Sequence, residues 1–253
     1  MNWIALFTLI RREVHRSLRL YKQTILPPML TATLYILIFG FSVGSRIGEM
    51  GGFSYLQFIL PGLIMMGVIT SSYMSVVSSL FLSKFQGNIQ EILVSPMSYL
   101  EMVLGYISGG VARGLIVGLG ITLVSAIFAN IPVVNPLVSI SFAFIISILF
   151  SSLGYITALW AKNFDQMGMF STFLITPLIY VGGVFYSIDL LPPLFQSLSK
   201  INPILYMVNG FRYGFLGVSD VNILFSSALI IILAFLSILL CINLTKKGWN
   251  LRA

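Results

Sequence analysis

No charged residue occurs between Asp220 and Lys246, where the chain reads VNILFSSALIIILAFLSILLCINLT (residues 221–245). A helix over this stretch would be about 37 Å long at 1.5 Å per residue, which exceeds the roughly 30 Å hydrocarbon core of a bilayer. The stretch therefore predicts a transmembrane helix.

Similar gaps between charges recur along the chain. Residues 23–45, 50–83 and 166–188 carry no charge, and only Arg113 interrupts residues 102–161. We therefore predict an all-α, polytopic membrane protein, a single domain over residues 1–253. Its six transmembrane helices are predicted at about 25–45, 55–79, 102–128, 137–160, 168–187 and 221–244.

The overall composition excludes a soluble enzyme or binding module. Of the 253 residues, 58% are hydrophobic and only 8% are charged, and the mean hydropathy is +1.00. Soluble domains carry about 25% charged residues. The net charge of +7 would suggest nucleic acid in a soluble protein, but in a membrane protein it indicates topology and contact with lipid.

Few residues are available for catalysis or metal binding. Cys241 is the only cysteine and His15 the only histidine, and no GxxxxGK[ST] motif for ATP occurs. We expect no catalytic residues, no metal site and no cofactor bound by this chain.

Basic residues concentrate on one side of the predicted spans. Lys and Arg accumulate in cytoplasmic loops, so the better orientation has both termini in the cytoplasm, with ten basic residues inside and three outside. The inside set is Arg11, Arg12, Arg16, Arg19, Lys22, Lys84, Lys162, Lys246, Lys247 and Arg252, and the outside set is Arg46, Lys200 and Arg212.

Residues 1–22 are predicted to form an amphipathic helix in the cytoplasmic headgroup region, because apolar residues recur there every three or four positions. This helix is either an anchor alone or also a contact for a cytoplasmic partner. The apolar residues are Trp3, Phe7, Ile10, Val14, Leu18 and Tyr21, and basic residues occupy much of the remaining surface.

The largest cytoplasmic loop is predicted at residues 80–101. Residues 88–94 favour a short helix that ends before Pro96, and Ser98-x-x-Glu101 has the spacing of a capping box at the start of the third span. The short helix is either an ordinary connector or a docking surface.

Arg113 lies well inside the third span, where a charge costs about 2.5–3.5 kcal/mol on insertion scales. Gly110, Gly114 and Gly118 surround it at a spacing that lets helices approach closely. These four residues either line a polar pathway through the membrane or pack the bundle, and for the glycines packing within the chain is preferred over a dimer contact.

Prolines divide residues 188–220 into apolar pieces too short to cross a bilayer. Asn202 and Pro203 have the residue types of a helix N-cap and first turn. We predict two short helices that enter the outer leaflet as a re-entrant hairpin before the last span. Such backbone needs protein or water around it, which makes this region a candidate functional site.

Several blocks of sequence together resemble the ABC-2 type permeases over nearly the whole chain. The outer region carries Tyr186-Ser187-x-x-x-Leu191-Pro192, Gln196-x-Leu198, Asn202-Pro203-x-x-Tyr206 and Arg212-Tyr213. The cytoplasmic loop is similar to the family's coupling loop in Lys84-Phe85-x-Gly87-x-x-x-Glu91-x-Leu93-Val94-Ser95-Pro96. The second span resembles the family's in Phe53-Ser54-Tyr55-x-x-Phe58-x-x-Pro61-Gly62.

The sequence looks most similar to the bacterial permeases of drug, glycan and nodulation-factor export. This resemblance implies a subunit of an ATP-driven exporter in the inner membrane. Two permease chains, as a homodimer, would pair with two copies of a separate cytoplasmic ATPase, which binds the ATP. The implied ATPase-coupling residues are Gln86, Gly87, Asn88, Ile89, Gln90, Glu91, Leu93 and Ser95. The implied extracytoplasmic gate is formed by Tyr186, Pro192, Asn202, Pro203, Tyr206 and Arg212.

An ATP-independent membrane protein, such as an insertase or a secondary transporter, is the alternative. A buried arginine in a groove, at Arg113, suits an insertase. A proton-coupled transporter needs a titratable carboxylate in a span, and the predicted spans contain none. Sodium coupling through backbone carbonyls stays open.

The predicted orientation determines which engineered cysteines a membrane-impermeant thiol reagent reaches from outside the cell. We expect labelling of Lys200→Cys and no labelling of Lys247→Cys in intact cells. Labelling at position 247 without labelling at position 200 would reverse the topology.

Overall fold

The computed structural model describes residues 2–130 and 132–251, apart from the side chain of Ser45. Arg252, counted above with the cytoplasmic charges, lies outside these residues. The long and short helices are α1 (Trp3–Arg19), α2 (Tyr21–Val43), α3 (Tyr55–Phe85), α4 (Ile89–Val94), α5 (Tyr99–Phe128), α6 (Pro136–Trp160), α7 (residues 164–180), α8 (Pro193–Ile201), α9 (Pro203–Leu216) and α10 (Ile223–Lys246).

Smaller elements connect some of these helices. A helical turn at Gly44–Ile47 leads into a two-stranded antiparallel ribbon of β1 (Glu49–Met50) and β2 (Phe53–Ser54). Gly51 and Gly52 turn this ribbon at φ values of +61° and +82°, which glycine adopts without steric cost. A 3₁₀ turn at Ile188–Leu190 precedes α8.

Five helices of the described chain are long and apolar enough to cross a membrane, namely α2, α3, α5, α6 and α10. The prediction of an all-α polytopic membrane protein is confirmed. The span predicted at 168–187 differs, because α7 ends at Tyr180, is π-helical over Ser171–Ile175, and is followed by a turn. At about 25 Å, α7 is shorter than the hydrocarbon core, and the count of six spans stays a prediction.

The loop predicted at 80–101 is also shorter than expected. Helix α3 continues beyond residue 79 to Phe85, and α5 begins at Tyr99. Ser98 accepts a hydrogen bond from the backbone N–H of Glu101, and the Glu101 carboxylate accepts one from the N–H of Ser98 at 2.7 Å. This capping box confirms the one predicted from the sequence and sets the start of α5.

Helices α3, α5 and α6 form the centre of the bundle, where glycines on α5 allow close contact. A Cβ atom added at Gly110 would lie 2.3 Å from Ser151 Oγ of α6 and 2.6 Å from Val76 Cγ2 of α3. At Gly114 it would lie 1.9 Å from Ser72 Oγ. The glycine spacing singled out in the sequence thus faces helices of the same chain.

Helix α1 lies against a second glycine-containing face of α5. Leu9 and Glu13 of α1 fill the space beside Gly105 and Gly109, where a Cβ atom would meet their side chains at 2.4 Å. Of the apolar residues predicted for one face of α1, Trp3 and Phe7 are 69% and 66% exposed, whereas Ile10 and Val14 are half-buried. That face is free to contact lipid, whereas Leu6, Leu9, Glu13 and Ser17 are buried.

The region predicted as a hairpin does contain two short helices, α8 and α9, separated at Asn202. Helix α8 is largely exposed, but α9 is buried along most of its length and contacts α3, α6 and α10. The second arm is therefore part of the bundle core and not a peripheral cover. Its depth in a membrane stays a prediction.

The close contact at Gly114 predicts a steric effect of a single methyl group. We expect Gly114→Ala to lower the free energy of unfolding in mild detergent, because overpacking costs about 1–3 kcal/mol and the gain in helix propensity returns at most about 1 kcal/mol. Gly168→Ala in α7 is the matched control, since a Cβ atom there meets nothing within 4 Å. Equal stability of the two variants would contradict the packing argument.

Candidate coupling surface and outer gate

The segment between α3 and α5, predicted to be cytoplasmic, is held at both ends by buried charged side chains. At the end of α3, Lys84 Nζ donates to the carbonyl oxygens of Ala158 and Leu159 at 2.9 and 2.8 Å, where α6 ends. At the start of α5, the Glu101 carboxylate accepts a hydrogen bond from the backbone N–H of Asn2, beside the start of α1. The segment is thereby connected to α6 and to α1.

Helix α4 within this segment has a buried side and an exposed side. Ile89 is 2% exposed and packs in a core cluster with residues of α1, α3, α5 and α6. Gln90 and Glu91 are exposed, and Val94 is 86% exposed. The Glu91 carboxylate has no ion-pair or hydrogen-bond partner in the described chain.

The predicted coupling residues therefore divide into two groups. Gln86, Asn88, Gln90 and Glu91 are accessible, and Gly87 provides the turn after α3 at a φ of +77°. Ile89 anchors α4 and offers no surface to a partner, while Leu93 and Ser95 are half-buried. Val94 was missed by the sequence reasoning, although its place five residues after Ile89 puts it on the opposite side of a 3.6-residue helix.

Arg113 is buried at the junction between α1 and α2. Its side chain is 8% exposed, and Nη2 donates to the carbonyl oxygen of Thr24 at 3.1 Å, where the chain passes into the longer part of α2. Thr24 Oγ1 in turn donates to the carbonyl oxygen of Ser17 in α1 at 3.1 Å. These contacts fit a structural role better than a position in an open pathway.

Arg212 of α9 is the centre of a buried cluster at the other end of α3. It is 0% exposed, and Nη2 donates to the carbonyl oxygen of Gly183 at 2.6 Å. Its guanidinium carbon lies 3.8 Å from the ring centre of Phe58, a cation–π contact. Arg212 was predicted to lie on the outer side of the membrane and in the gate, and that placement stays a prediction; the structure adds that its side chain is fully enclosed by protein.

Asp220 completes the Arg212 cluster. Its carboxylate lies 3.9 Å from Arg212 Nη1 and accepts a hydrogen bond from the backbone N–H of Ile188 at 3.2 Å. Asn209 Oδ1 accepts from the Asp220 N–H at 3.0 Å and from Arg212 Nη1 at 3.4 Å. The sequence analysis did not single out Asn209 or Asp220 as site residues, because their contacts form only when the fold brings residues 183, 188 and 220 together.

Asn202 connects α9 to α7 through its side chain. Oδ1 accepts from the backbone N–H of Ile204 at 3.0 Å, which confirms the predicted N-cap, and Nδ2 donates to the carbonyl oxygen of Leu178 at 2.7 Å. Asn202 is 4% exposed, so water cannot readily replace these bonds.

The other predicted gate residues lie around this connection without converging on one cavity. Tyr186 donates to the carbonyl oxygen of Val181 and Tyr206 to that of Lys200, which closes local turns. Pro192 is exposed at the start of α8, and Pro203 occupies the first turn of α9.

A cavity of about 270 Å³ lies between α2, α3 and α5. Thr31, Tyr35 and Thr70 contribute its polar lining, and Pro27 and Pro28 border it. The hydroxyl groups of Tyr35 and Tyr180 are 2.7 Å apart, so α2 and α7 meet beside this cavity. Both helices contain π-helical turns, which occur often at functional sites.

Comparison with known proteins identifies the family of this chain. The family model for the ABC-2 type transporter matches residues 4–216. The chain belongs to the ABC-2 type transporter family. It is also 47% identical over 254 residues to the inner membrane transport permease YadH of Escherichia coli strain K12, covering 100% of this chain and 99% of that protein.

More distant relatives of this ABC-2 type transporter chain are nodulation proteins J. The protein from Rhizobium leguminosarum bv. viciae is 23% identical over 225 residues, covering 88% of this chain and 85% of the relative. The protein from Rhizobium meliloti strain 1021 is 24% identical over 217 residues, covering 85% and 82%. The family resemblance read from the sequence is confirmed.

Proposed function

We propose that this chain is the permease subunit of an ATP-driven exporter in the bacterial inner membrane, with both termini in the cytoplasm. Membership of the ABC-2 type transporter family supports the transport role, and the name of the Escherichia coli relative supports the permease role and the inner membrane. Because the sequence has no GxxxxGK[ST] motif, ATP hydrolysis is assigned to a separate subunit.

The observation that carries the proposal is the exposed side of α4. Gln90, Glu91 and Val94 extend from a short helix that Ile89 anchors in the bundle. Two copies of a cytoplasmic ATPase would dock here, one on each chain of a permease homodimer. Because Lys84 joins this segment to α6 and Glu101 joins it to α1, displacement of α4 would also move α6 and α1.

Large apolar surfaces remain for lipid and for a second permease chain. On α2, Leu30, Leu34 and Phe41 are 63%, 58% and 56% exposed. The cavity lined by Thr31, Tyr35 and Thr70 lies between this helix and α3 and α5. We place part of the substrate pathway at this cavity.

Reversing the charge at Glu91 tests the ATPase-docking surface. Glu91→Arg should reduce co-purification of the ABC ATPase from native membranes by about fivefold, since an exposed charge pair contributes up to about 1 kcal/mol. Glu49→Arg is the matched control, because Glu49 is also exposed but lies in β1, near the start of α3 and far from α4. Undiminished recovery of the ATPase with Glu91→Arg would remove α4 from the docking surface.

The gate proposal rests on the connection of α7 to α9 through Asn202. Asn202→Leu removes the cap, at a cost of about 0.5–2 kcal/mol, together with the bond to Leu178, so transport in ATPase-containing proteoliposomes should fall while ATPase binding persists. The substrate for this assay is the compound that co-purifies, identified by mass spectrometry.

Two further variants distinguish the loss of the bond between Asn202 and Leu178 from the loss of a helix cap in general. Asn202→Asp keeps the acceptor for Ile204 but loses the donor to Leu178, and it should also impair transport. Asn222→Leu removes a comparable cap from α10, where the exposed Asn222 accepts from Leu224 and Phe225, and it should leave transport nearly normal. Full transport by Asn202→Leu would exclude the connection between α7 and α9 from the gate.

The ATP-independent alternative receives less support. An insertase would present Arg113 in an open groove, whereas this side chain is 8% exposed and bonded to Thr24. Glu13 and Glu101 are buried carboxylates, but Glu13 lies in α1 and Glu101 serves as the cap of α5.

A further inference from the structure

A groove of about 530 Å³ runs between α1 and the last turns of α3. Its basic wall is formed by Arg12, His15, Arg16 and Arg19. These four residues follow the i, i+3, i+4, i+7 spacing of one helix face. The groove is lined by three guanidinium groups but by only one carboxylate, that of Glu13, so its net charge is positive.

Two of the guanidinium groups are held in fixed positions by Glu13. The carboxylate is 2% exposed and lies 2.9 Å from Arg12 Nη2 and 3.4 Å from Arg16 Nε. Ser79 Oγ of α3 donates to it at 2.5 Å. Arg12 is held further by the hydroxyl of Tyr106, and Arg16 by the carbonyl oxygen of Ser75.

These contacts leave donors free to bind an anion in the groove. Nη1 of Arg12 and Nη1 of Arg16 have no hydrogen-bond partner in the described chain, and Arg19 makes no ion pair there. Guanidinium groups that are positioned in advance match the geometry of a phosphate and lose little entropy on binding it.

The depth of the groove corresponds to lipid headgroups. Helix α3 has 31 residues and is about 46 Å long, close to the 40–45 Å of a bilayer with its headgroup layers. Ser79 lies six residues before the end of α3 at Phe85, which is about 9 Å along the helix axis. A hydrocarbon core of about 30 Å centred on this helix leaves about 8 Å at each end. A phosphate bound beside Glu13 and Ser79 would therefore lie at the boundary between the headgroup layer and the hydrocarbon core.

The groove also contains apolar surface suited to the rest of a lipid. Leu20 and Leu82 contribute to its lining, and Leu18 and Tyr21 are exposed nearby on the chain. Basic pockets between membrane helices on the cytoplasmic side are a recognised way of binding anionic headgroups. An acidic protein surface would not need this apolar component.

We propose that this groove binds the phosphate of an anionic phospholipid of the cytoplasmic leaflet, such as phosphatidylglycerol. The groove does not include the exposed side of α4, but Gln86 and Asn88 of the predicted coupling segment border it. Its occupancy would connect α1 and α3 through one lipid headgroup. The proposal does not depend on how the chain is coupled to ATP.

Native mass spectrometry of the full chain, purified with its co-purifying subunits, tests the site. Phosphatidylglycerol is titrated into the unsubstituted protein, the Arg19→Gln variant and the Arg11→Gln variant. Both arginines are exposed, belong to α1, make no ion pair in the described chain, and change the net charge equally, but only Arg19 lines the groove. Arg19→Gln should weaken binding about fivefold, and Arg11→Gln less than twofold.

Other results would overturn the proposal. Equal weakening by the two variants would mean general attraction between a basic helix and an anionic surface. Displacement of phosphatidylglycerol by millimolar inorganic phosphate would make the ligand a free anion. Normal lipid binding by Arg19→Gln with reduced recovery of the ATPase would assign the groove to a protein partner. Phosphatidylcholine serves as the zwitterionic lipid, and its binding should be the same for all variants.

Discussion

Hydrocarbon offers no hydrogen-bond partners, so each charged group buried in this bundle must find its partners within the chain. Lys84, Arg113 and Arg212 meet this requirement in the same way, by donating to backbone carbonyl oxygens where a helix ends or is interrupted. Such carbonyls lack partners within their own helix and carry the negative end of its dipole. Each buried cation therefore joins two parts of the chain at one point, although Nε of Arg113 and Nε of Arg212 have no hydrogen-bond partner in the described chain.

The packing between these points follows a different rule. Apolar side chains gain little by moving from lipid to a helix interface, so close approach of the backbones has to supply the attraction. Gly110 and Gly114 of α5 allow this approach to Ser72 of α3 and Ser151 of α6. The glycine contacts hold the middle of the bundle, Lys84 and Arg212 hold its two ends, and Arg113 joins the middle of α5 to the start of α2.

The sequence predicted the features that depend on neighbouring residues. Ser98 and Glu101 lie three positions apart and form the expected capping box, and Asn202 caps α9 as its position before Pro203 suggested. Features that depend on distant residues were not predictable. The face of α1 that contacts the protein contains Leu9 and Glu13, and a polar residue on a buried face is invisible to a count of apolar periodicity. The burial of Arg212 was not predicted, since no pattern in its neighbourhood indicates that Phe58 and Gly183 enclose it.

Helix α3 is the element through which the two ends of the protein communicate in the proposed mechanism. Phe58 near its start lies against Arg212, and Lys84 near its end binds the last carbonyls of α6. These residues are 26 positions apart, about 39 Å along a helix. A continuous helix is stiff in compression, so a push on α4 would reach the Arg212 cluster without an intervening hinge, except where Pro61 removes one backbone hydrogen bond. Arg212 is bonded to the turn after α7 and Asn202 to α7 itself, so the outer cluster has two connections to α7. Phe170 of α7 in turn stacks on Tyr73 of α3. Movement at the cytoplasmic end would then be transmitted to α7 and α9 together, which is the pair of elements that an outer gate must displace.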